Sequence, residues 1–443
     1  MPEGTDEGLG ARISRRELVK RAGVGAGGLM LAGTAVPRVS ASPRLSAADT
    51  TIKIGFVSPL TGAVSGFGEP DPYVIGLAKT AFAKGLTIGG TKYSVEVINK
   101  DAQSTPARAA QVASDLIHSD NVDLMLTTST PEVVNPVSDA CEAAGVPCIS
   151  TVVPWEAWYF GRGAKPGKPS PFHYTYHFCF GGANFFDTYT HLWPQVKTNK
   201  KVGVMWPNDA DGNAIRAGLG PGLKKAGYTI VDPGAYQDGT NDYSAQIAKF
   251  KDAGVQIFNT FPIPPDFATF WRQAAQQGLT KQIKIAQIAK TGLFASQVEA
   301  VGSLGYNLAS GAYWGPTWPY KSTLTGISNA KIASGYTAKT GKQWNQQAGP
   351  SLALFDVGAA ALKASGNPKD KAKVANVMKT LKVETPVGVL HWSKGPVPNV
   401  VQTPIPGGQW IKATKGPFKL EWVFCEHTDD PSIPIQAHLK SYS

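Results

Sequence analysis

Apolar and polar residues along this chain fall into two alternating rhythms. Ile52, Ile54, Phe56 and Val57 form a short apolar, β-branched run, the pattern of a buried strand. A loop rich in Gly, Pro and Thr follows, Ser58 to Gly68, and then an apolar helical pattern from Tyr73 to Phe82. Strand, glycine-containing loop and helix in that order place small side chains and helix-end N–H groups at the carboxyl edge of a parallel sheet, where open α/β sheets bind small molecules. The 58–68 loop is therefore read as one wall of a ligand site.

The same alternation continues. Strands are predicted over Lys92–Asn99, Val122–Thr127 and Val146–Ser150, with helices over Pro106–Ile117 and Pro131–Ala144. After an aromatic segment, Phe172–Phe180, a second series begins. It has strands at Lys201–Met205, Tyr228–Val231, Val255–Asn259 and Ile283–Gln287, and helices at Ala214–Ala226, Tyr243–Asp252 and Asp266–Gln276. Two such series predict two α/β lobes with parallel sheets covered on both faces. The last third departs from the rhythm: strand-like Gly311–Trp318 and Gly388–Trp392, helices Leu352–Ala364 and Lys371–Leu381, and a Pro/Gly-rich loop from Pro396 to Gly408.

Length and composition narrow the class. At 443 residues the chain is too long for one core, and 42% apolar with 17% charged residues describes a globular protein. The formal charge is +11; six Lys/Arg against four Asp/Glu in residues 1–41 leave +9 on the rest. That excess is spread without long basic blocks or a nucleic-acid reader motif, so no nucleic-acid partner is expected. Ser14-Arg15-Arg16-Glu17-Leu18-Val19-Lys20 matches a twin-arginine export pattern, followed by a Gly/Ala-rich run and a small-residue cleavage site at Val39-Ser40-Ala41. Residues 1–41 are thus expected to be a signal peptide read by the twin-arginine machinery. The glycines of 23–28 belong to it and not to a dinucleotide site. The mature chain is placed in the periplasm or outside the cell. Cys141, Cys148, Cys179 and Cys425 all fall beyond the signal, where disulfides form. Cys141–Cys148 and Cys179–Cys425 are candidate pairs, and none has the spacing of a zinc site.

Four segments together resemble the periplasmic type I solute-binding proteins of ABC importers, in the branched-chain-amino-acid, leucine-binding-protein-like class. They are IKIGFVSPLTGAVSGFG (52–68), VINKDAQSTPARAAQVASDLI (97–117), VDLMLTTSTPEVVNPVSDACEAAGVPCIS (122–150) and TPVGVLHWSKG (385–395). The resemblance implies two Rossmann-like lobes joined by three crossings, near 172–180, 308–318 and 384–390. Lobe 1 would hold residues 51–177 and 314–384, and lobe 2 residues 178–313 and 385–426, with 427–443 as a tail. It further implies a monomer that closes by hinge motion on a small solute, is read by membrane permease and ATPase subunits, uses no cofactor and does no chemistry.

Candidate ligand contacts follow from both readings. Ser129 or Thr130 suits an N-cap, with Pro131 at the first helical position and Glu132 in the first turn. The resemblance makes this a carboxylate clamp, although Pro131 and Glu132 stand where the family continues its hydroxyl run. After the fourth strand, Val153 and the aromatic-rich 154–160 follow, with Trp155 the first stacking candidate and Trp158 the second. Phe67 aligns with an aromatic that covers the ligand. On the second lobe Trp206 and Asp211 follow a strand; Asp211 is either an ammonium partner or a helix N-cap. Pro264 and Asp266 follow another strand, Asp266 being read as an N-cap. Lys290 is a candidate anion contact. The altered clamp and added aromatics point to an apolar or aromatic solute with a carboxylate or amide head.

Rival classes have weaker support. Ser328-Asn329-Ala330-Lys331 and Lys339-Thr340-Gly341 superficially match penicillin-recognising enzymes, but only eight positions separate the two lysines. His173 and His177 lack a third metal ligand. A ligand sensor acting through a membrane receptor would share fold and cleft with a transport protein.

Overall fold

The computed structural model describes Thr50–Ser443, so the signal-peptide reading of residues 1–41 lies outside the described residues. The strands are β1 (Thr51–Ser58), β2 (Leu86–Ile88), β3 (Thr91–Asp101), β4 (Leu124–Thr128), β5 (Cys148–Thr151), β6 (Thr175–Phe178), β7 (Lys201–Met205), β8 (Thr229–Val231), β9 (Ile257–Thr260), β10 (Ile285–Ile288) and β11 (Leu308–Gly311). After three helices come β12 (Lys382–Thr385), β13 (Gly388–His391), β14 (Val400–Val401), β15 (Gly407–Lys412) and β16 (Leu420–Phe424).

They form two seven-stranded sheets, ordered β14-β6-β5-β4-β1-β3-β2 and β16-β15-β11-β10-β9-β7-β8. Each is parallel through its middle, with antiparallel strands only at an edge: β2 in the first sheet, β15 and β16 in the second. The central strands are buried on both faces, which is why β1, β4 and β9 read as near-continuous apolar runs. Helices fill the crossovers. Pro131–Ala144 ends where Gly145 takes φ +65°, a left-handed cap that glycine adopts without strain.

Several expectations shift. The strand expected over Gly311–Trp318 ends at Gly311, because the Tyr313 N–H is taken by the Gln346 side chain and not by a neighbouring strand. The 384–390 segment is no crossing: β12 and β13 pair as a hairpin in the first lobe, against the helix Ala348–Ala364. The chain next adds β14 beside β6 and crosses only between Val401 and Gly407. Residues 388–401 therefore belong with the first sheet, and the 396–408 loop contains a strand and the start of another. The Lys371 helix turns 3₁₀ after Val377. All four cysteines are free and buried thiols, so neither expected disulfide is present. Cys425 instead has its sulfur 3.6 Å from the Val423 carbonyl.

Candidate functional site

A cavity lies between the carboxyl edges of the two sheets, and its wall is built almost wholly from residues that follow strand ends. The first lobe supplies Phe67 after β1, Ser129 and Thr130 after β4, and Val152 and Pro154 after β5. The second supplies Asp211 after β7, Phe261 after β9, Lys290 after β10 and Ser310 within β11, with Phe185 from the helix Gly182–Leu192. All three crossings reach it, through Phe180, Tyr313 and Ile405. A change in lobe angle must therefore deform the wall itself.

The apolar part is an aromatic chain. Phe261 meets Phe185 edge-on at 5.2 Å, Phe185 meets Phe180 at 5.1 Å, and Phe180 stacks on Tyr313 at 5.8 Å. Opposite, Phe67 of the first lobe meets Phe294 of the second at 4.9 Å, edge to face. The Phe67 loop is fixed from behind by Gly68, where a Cβ would stand 2.3 Å from the Pro59 carbonyl oxygen. Gly68→Ala should therefore cost about 1–3 kcal/mol by overpacking and displace Phe67. Urea unfolding measures the cost, and an unchanged midpoint would show that the loop yields freely.

The polar part is strained and partly unsatisfied. Ser129, Val152 and Lys290 hold φ values of +135°, +76° and +46°. Such conformations cost about 1–3 kcal/mol each for residues with a side chain and gather at ligand clamps. Ser129 Oγ, Ser310 Oγ and Asp211 Oδ1 are buried with no protein partner among the described residues. Buried polar atoms are usually paired, and these three give a molecule in the cavity a carboxylate oxygen and two hydroxyls to bond.

Lys290 organises the charge. Its ammonium lies 2.7 Å from Asp209 and 3.0 Å from Asp211. Burial works against its charge, but Asp211, Asp209 and Glu132 outweigh that and hold it protonated. Burial raises the Asp211 carboxyl above the usual range, Lys290 pulls it back, and Asp209 and Glu132 push it further up. Asp238 is likewise raised, by burial and by Asp209. One cation faces four carboxyl groups, so Lys290 is no free anion contact and the site is net acidic.

Of the residues singled out in the sequence, Phe67, Ser129, Thr130, Asp211 and Lys290 line the cavity; Pro131, Glu132, Val153, Trp155, Trp158, Trp206 and Pro264 do not. Trp158 is fully buried, stacked on His177 at 5.0 Å and donating to Ser138 Oγ. Trp155 packs on Phe160, and Pro154 takes the wall position. Trp206 donates to Asn259 inside the second lobe. Val153 is fully buried, and its carbonyl lies 2.7 Å from His177 Nε2. Thr130 caps the Pro131 helix through its backbone alone. Asp209, not Asp211, caps the helix Ala210–Lys225, accepting from Gly212 at 2.6 Å. Asp266 is not a cap either: Ile263 holds that position, and Asp266 accepts from Gly239 N–H. Burial drives the His177 pKa down to about 3, leaving a neutral ring held by Ser150 and Val153. Among the described residues no three His, Cys, Asp or Glu gather as a metal site.

The family model described as periplasmic binding protein matches residues 51–404. The chain is a periplasmic binding protein. This binding protein is 24% identical over 357 residues to the Leu/Ile/Val-binding protein homolog 3 of Brucella melitensis, covering 79% of this chain and 89% of that one. Among solved structures it is similar in fold to the leucine-binding protein LivK of Thermotoga maritima, with TM-score 0.68 and 17% identity over 85% of this chain and 99% of the other. A solute-binding protein of an R. palustris ABC transporter, solved with 4-hydroxybenzoate, gives TM-score 0.68 at 18% identity, covering 87% and 98%. The family is one of binding proteins and not of enzymes; the branched-chain-amino-acid names belong to the relatives.

Proposed function

We propose that this periplasmic binding protein is the substrate-binding component of an ABC importer, working outside the cytoplasmic membrane with permease and ATPase subunits. Its solute is a small molecule with an aromatic or branched apolar body and a head that donates hydrogen bonds, as an ammonium, amide or hydroxyl group does. The carrying observation is the cavity itself: an aromatic wall shared by both lobes, beside the unpartnered Asp211 Oδ1, Ser129 Oγ and Ser310 Oγ. The acid excess around Lys290 disfavours a bare carboxylate and admits one only beside an ammonium, as in an amino acid. The relatives, a Leu/Ile/Val-binding homologue and a binding protein solved with 4-hydroxybenzoate, support an apolar or aromatic solute.

Thermal unfolding of the chain from Ser42 onward, against amino acids, aromatic amides, phenols and simple aromatic carboxylates, tests this, because a ligand of the folded state raises the melting temperature by mass action. Donor-headed solutes should shift it and benzoate should not. Asp211→Asn should then weaken the best of them by about 2–5 kcal/mol, the cost of losing one partner of a buried charged contact. A benzoate shift that survives Asp211→Asn would overturn the assignment of the head.

A further inference from the structure

The run Gln343-Trp344-Asn345-Gln346-Gln347 joins the helix Asn329–Thr340 to the helix Ala348–Ala364 in the first lobe, and its side chains reach the second lobe, the second crossing and the Phe67 loop. Gln343 donates to the Leu420 carbonyl on β16, 2.9 Å away in the second lobe. Trp344, half-buried, lies 6.1 Å from Trp410 on β15 and 5.8 Å, edge to face, from Trp314 in the second crossing. Asn345 donates to the Gly66 carbonyl and to Glu69, either side of Phe67. Gln346 accepts from Tyr313 N–H at 3.1 Å, and Gln347 accepts from the Tyr313 hydroxyl at 3.3 Å. Gln347 also donates to Thr128 Oγ1 at 2.6 Å, one residue before Ser129.

We infer that this five-residue run is a clasp: Gln346 and Gln347 are positioning residues for the cavity wall, and Gln343 and Trp344 tie that positioning to lobe closure. Tyr313 is held at both its backbone and its hydroxyl, so its ring has one place against Phe180. The grip belongs to a segment whose other end rests on the second lobe. Separating the lobes pulls Gln343 off Leu420 and Trp344 off Trp410, which loosens the side chains that hold Tyr313. Trp314 transmits the same movement, because its ring packs where a Cβ on Gly349 would lie 2.1 Å away and has no room to shift. Coupling of this kind has a physical warrant when one element has two arrangements that both sites bias. The inference rests on the cleft being the ligand site, as proposed above, but its test needs no ligand.

In ligand-free protein, Trp344→Ala should speed hydrogen exchange of the Tyr313 amide at least tenfold. It should also add a longer population to the distance between spin labels at exposed Lys84 and Lys251, one on each lobe. Gln346→Leu should speed Tyr313 exchange while leaving the interlobe distance unchanged. If Trp344→Ala does not fold, Gln343→Ala, which removes a partly exposed contact with the second lobe, serves in its place with the same two readouts. A variant that only lowers the melting temperature, with Tyr313 protection and lobe distance as in the parent, would overturn the clasp. That failure would leave the solute reading untouched, since no solute is present.

Discussion

Lys290→Met should lower the free energy of unfolding at neutral pH by about 3–5 kcal/mol, the typical cost of stripping one partner from a buried ion pair. Among the described residues the lysine is the one cation paired with Asp209 and Asp211, whose side chains are only 10% and 6% exposed, with Glu132 and Asp238 close enough to act on the same cluster. Removing it leaves Asp209 with its cap bond to Gly212, and takes from Asp211 Oδ2 its ion-pair partner beside an Oδ1 that already has none among the described residues. The loss should shrink as the pH falls, because protonating Asp211 removes the unpaired charge. It should also shrink in the double variant Lys290→Met/Asp211→Asn, in which the charge is gone at any pH. Urea unfolding of the four proteins at two pH values gives the coupling directly. Additive single-site effects would mean that the pair is not the unit of stability described here.

The second large effect concerns acids that the cavity does not use. Asp71 is completely buried, accepts from Ser351 Oγ at 2.6 Å, and has a second oxygen with no partner among the described residues. Burial raises its pKa from 3.8 to about 7, against the pull of Ser351 and Ser58. A folded-state value above the unfolded one means that the folded protein binds the extra proton, so stability falls as pH rises through that window and returns on acidification. At 1.36 kcal/mol per pH unit the effect of Asp71 is on the order of 4 kcal/mol. Asp356, raised to about 7 chiefly by burial, adds the same sign. His177, lowered to about 3 chiefly by burial, opposes them below its unfolded value of 6.5. The Asp71→Asn variant separates the contributions, since His177 and Asp356 are common to both proteins. The free energies of variant and parent should be closest near pH 4, with the variant gaining about 4 kcal/mol on the parent by pH 8. Parallel curves would mean that Asp71 titrates normally.

Local chemistry made much of the scaffold legible. Ile52 to Val57 announced β1, and Thr130-Pro131 with Gly145 bracketed their helix to the residue because cap and terminator are properties of a few adjacent positions. What escaped depends on partners far away in the chain. Val400–Val401 is a strand only because β6 lies beside it, and β15 and β16 join a sheet whose other strands ended a hundred residues earlier. The site divides in the same way. Ser129, Asp211 and Lys290 follow strands that the periodicity shows, whereas Phe180, Tyr313 and Ile405 come from crossings whose convergence is wholly tertiary. Lys290 read as an anion contact because Asp209, 81 residues away, is invisible to a local window. The aromatics of 155–160 look alike in sequence whether they face a cavity or a core. Only the stacking of Trp158 on His177 tells which.

The late return of the chain to both sheets has a consequence for synthesis. A nascent chain that has reached residue 390 has neither β14 for the first sheet nor β15 and β16 for the second. Until then β6 and β11 each present a bare row of N–H and C=O groups, the kind of edge on which chains aggregate. Both sheets are thus completed late and close together, within residues 400–424. Two open edges must stay shielded from the emergence of β11 until those residues follow.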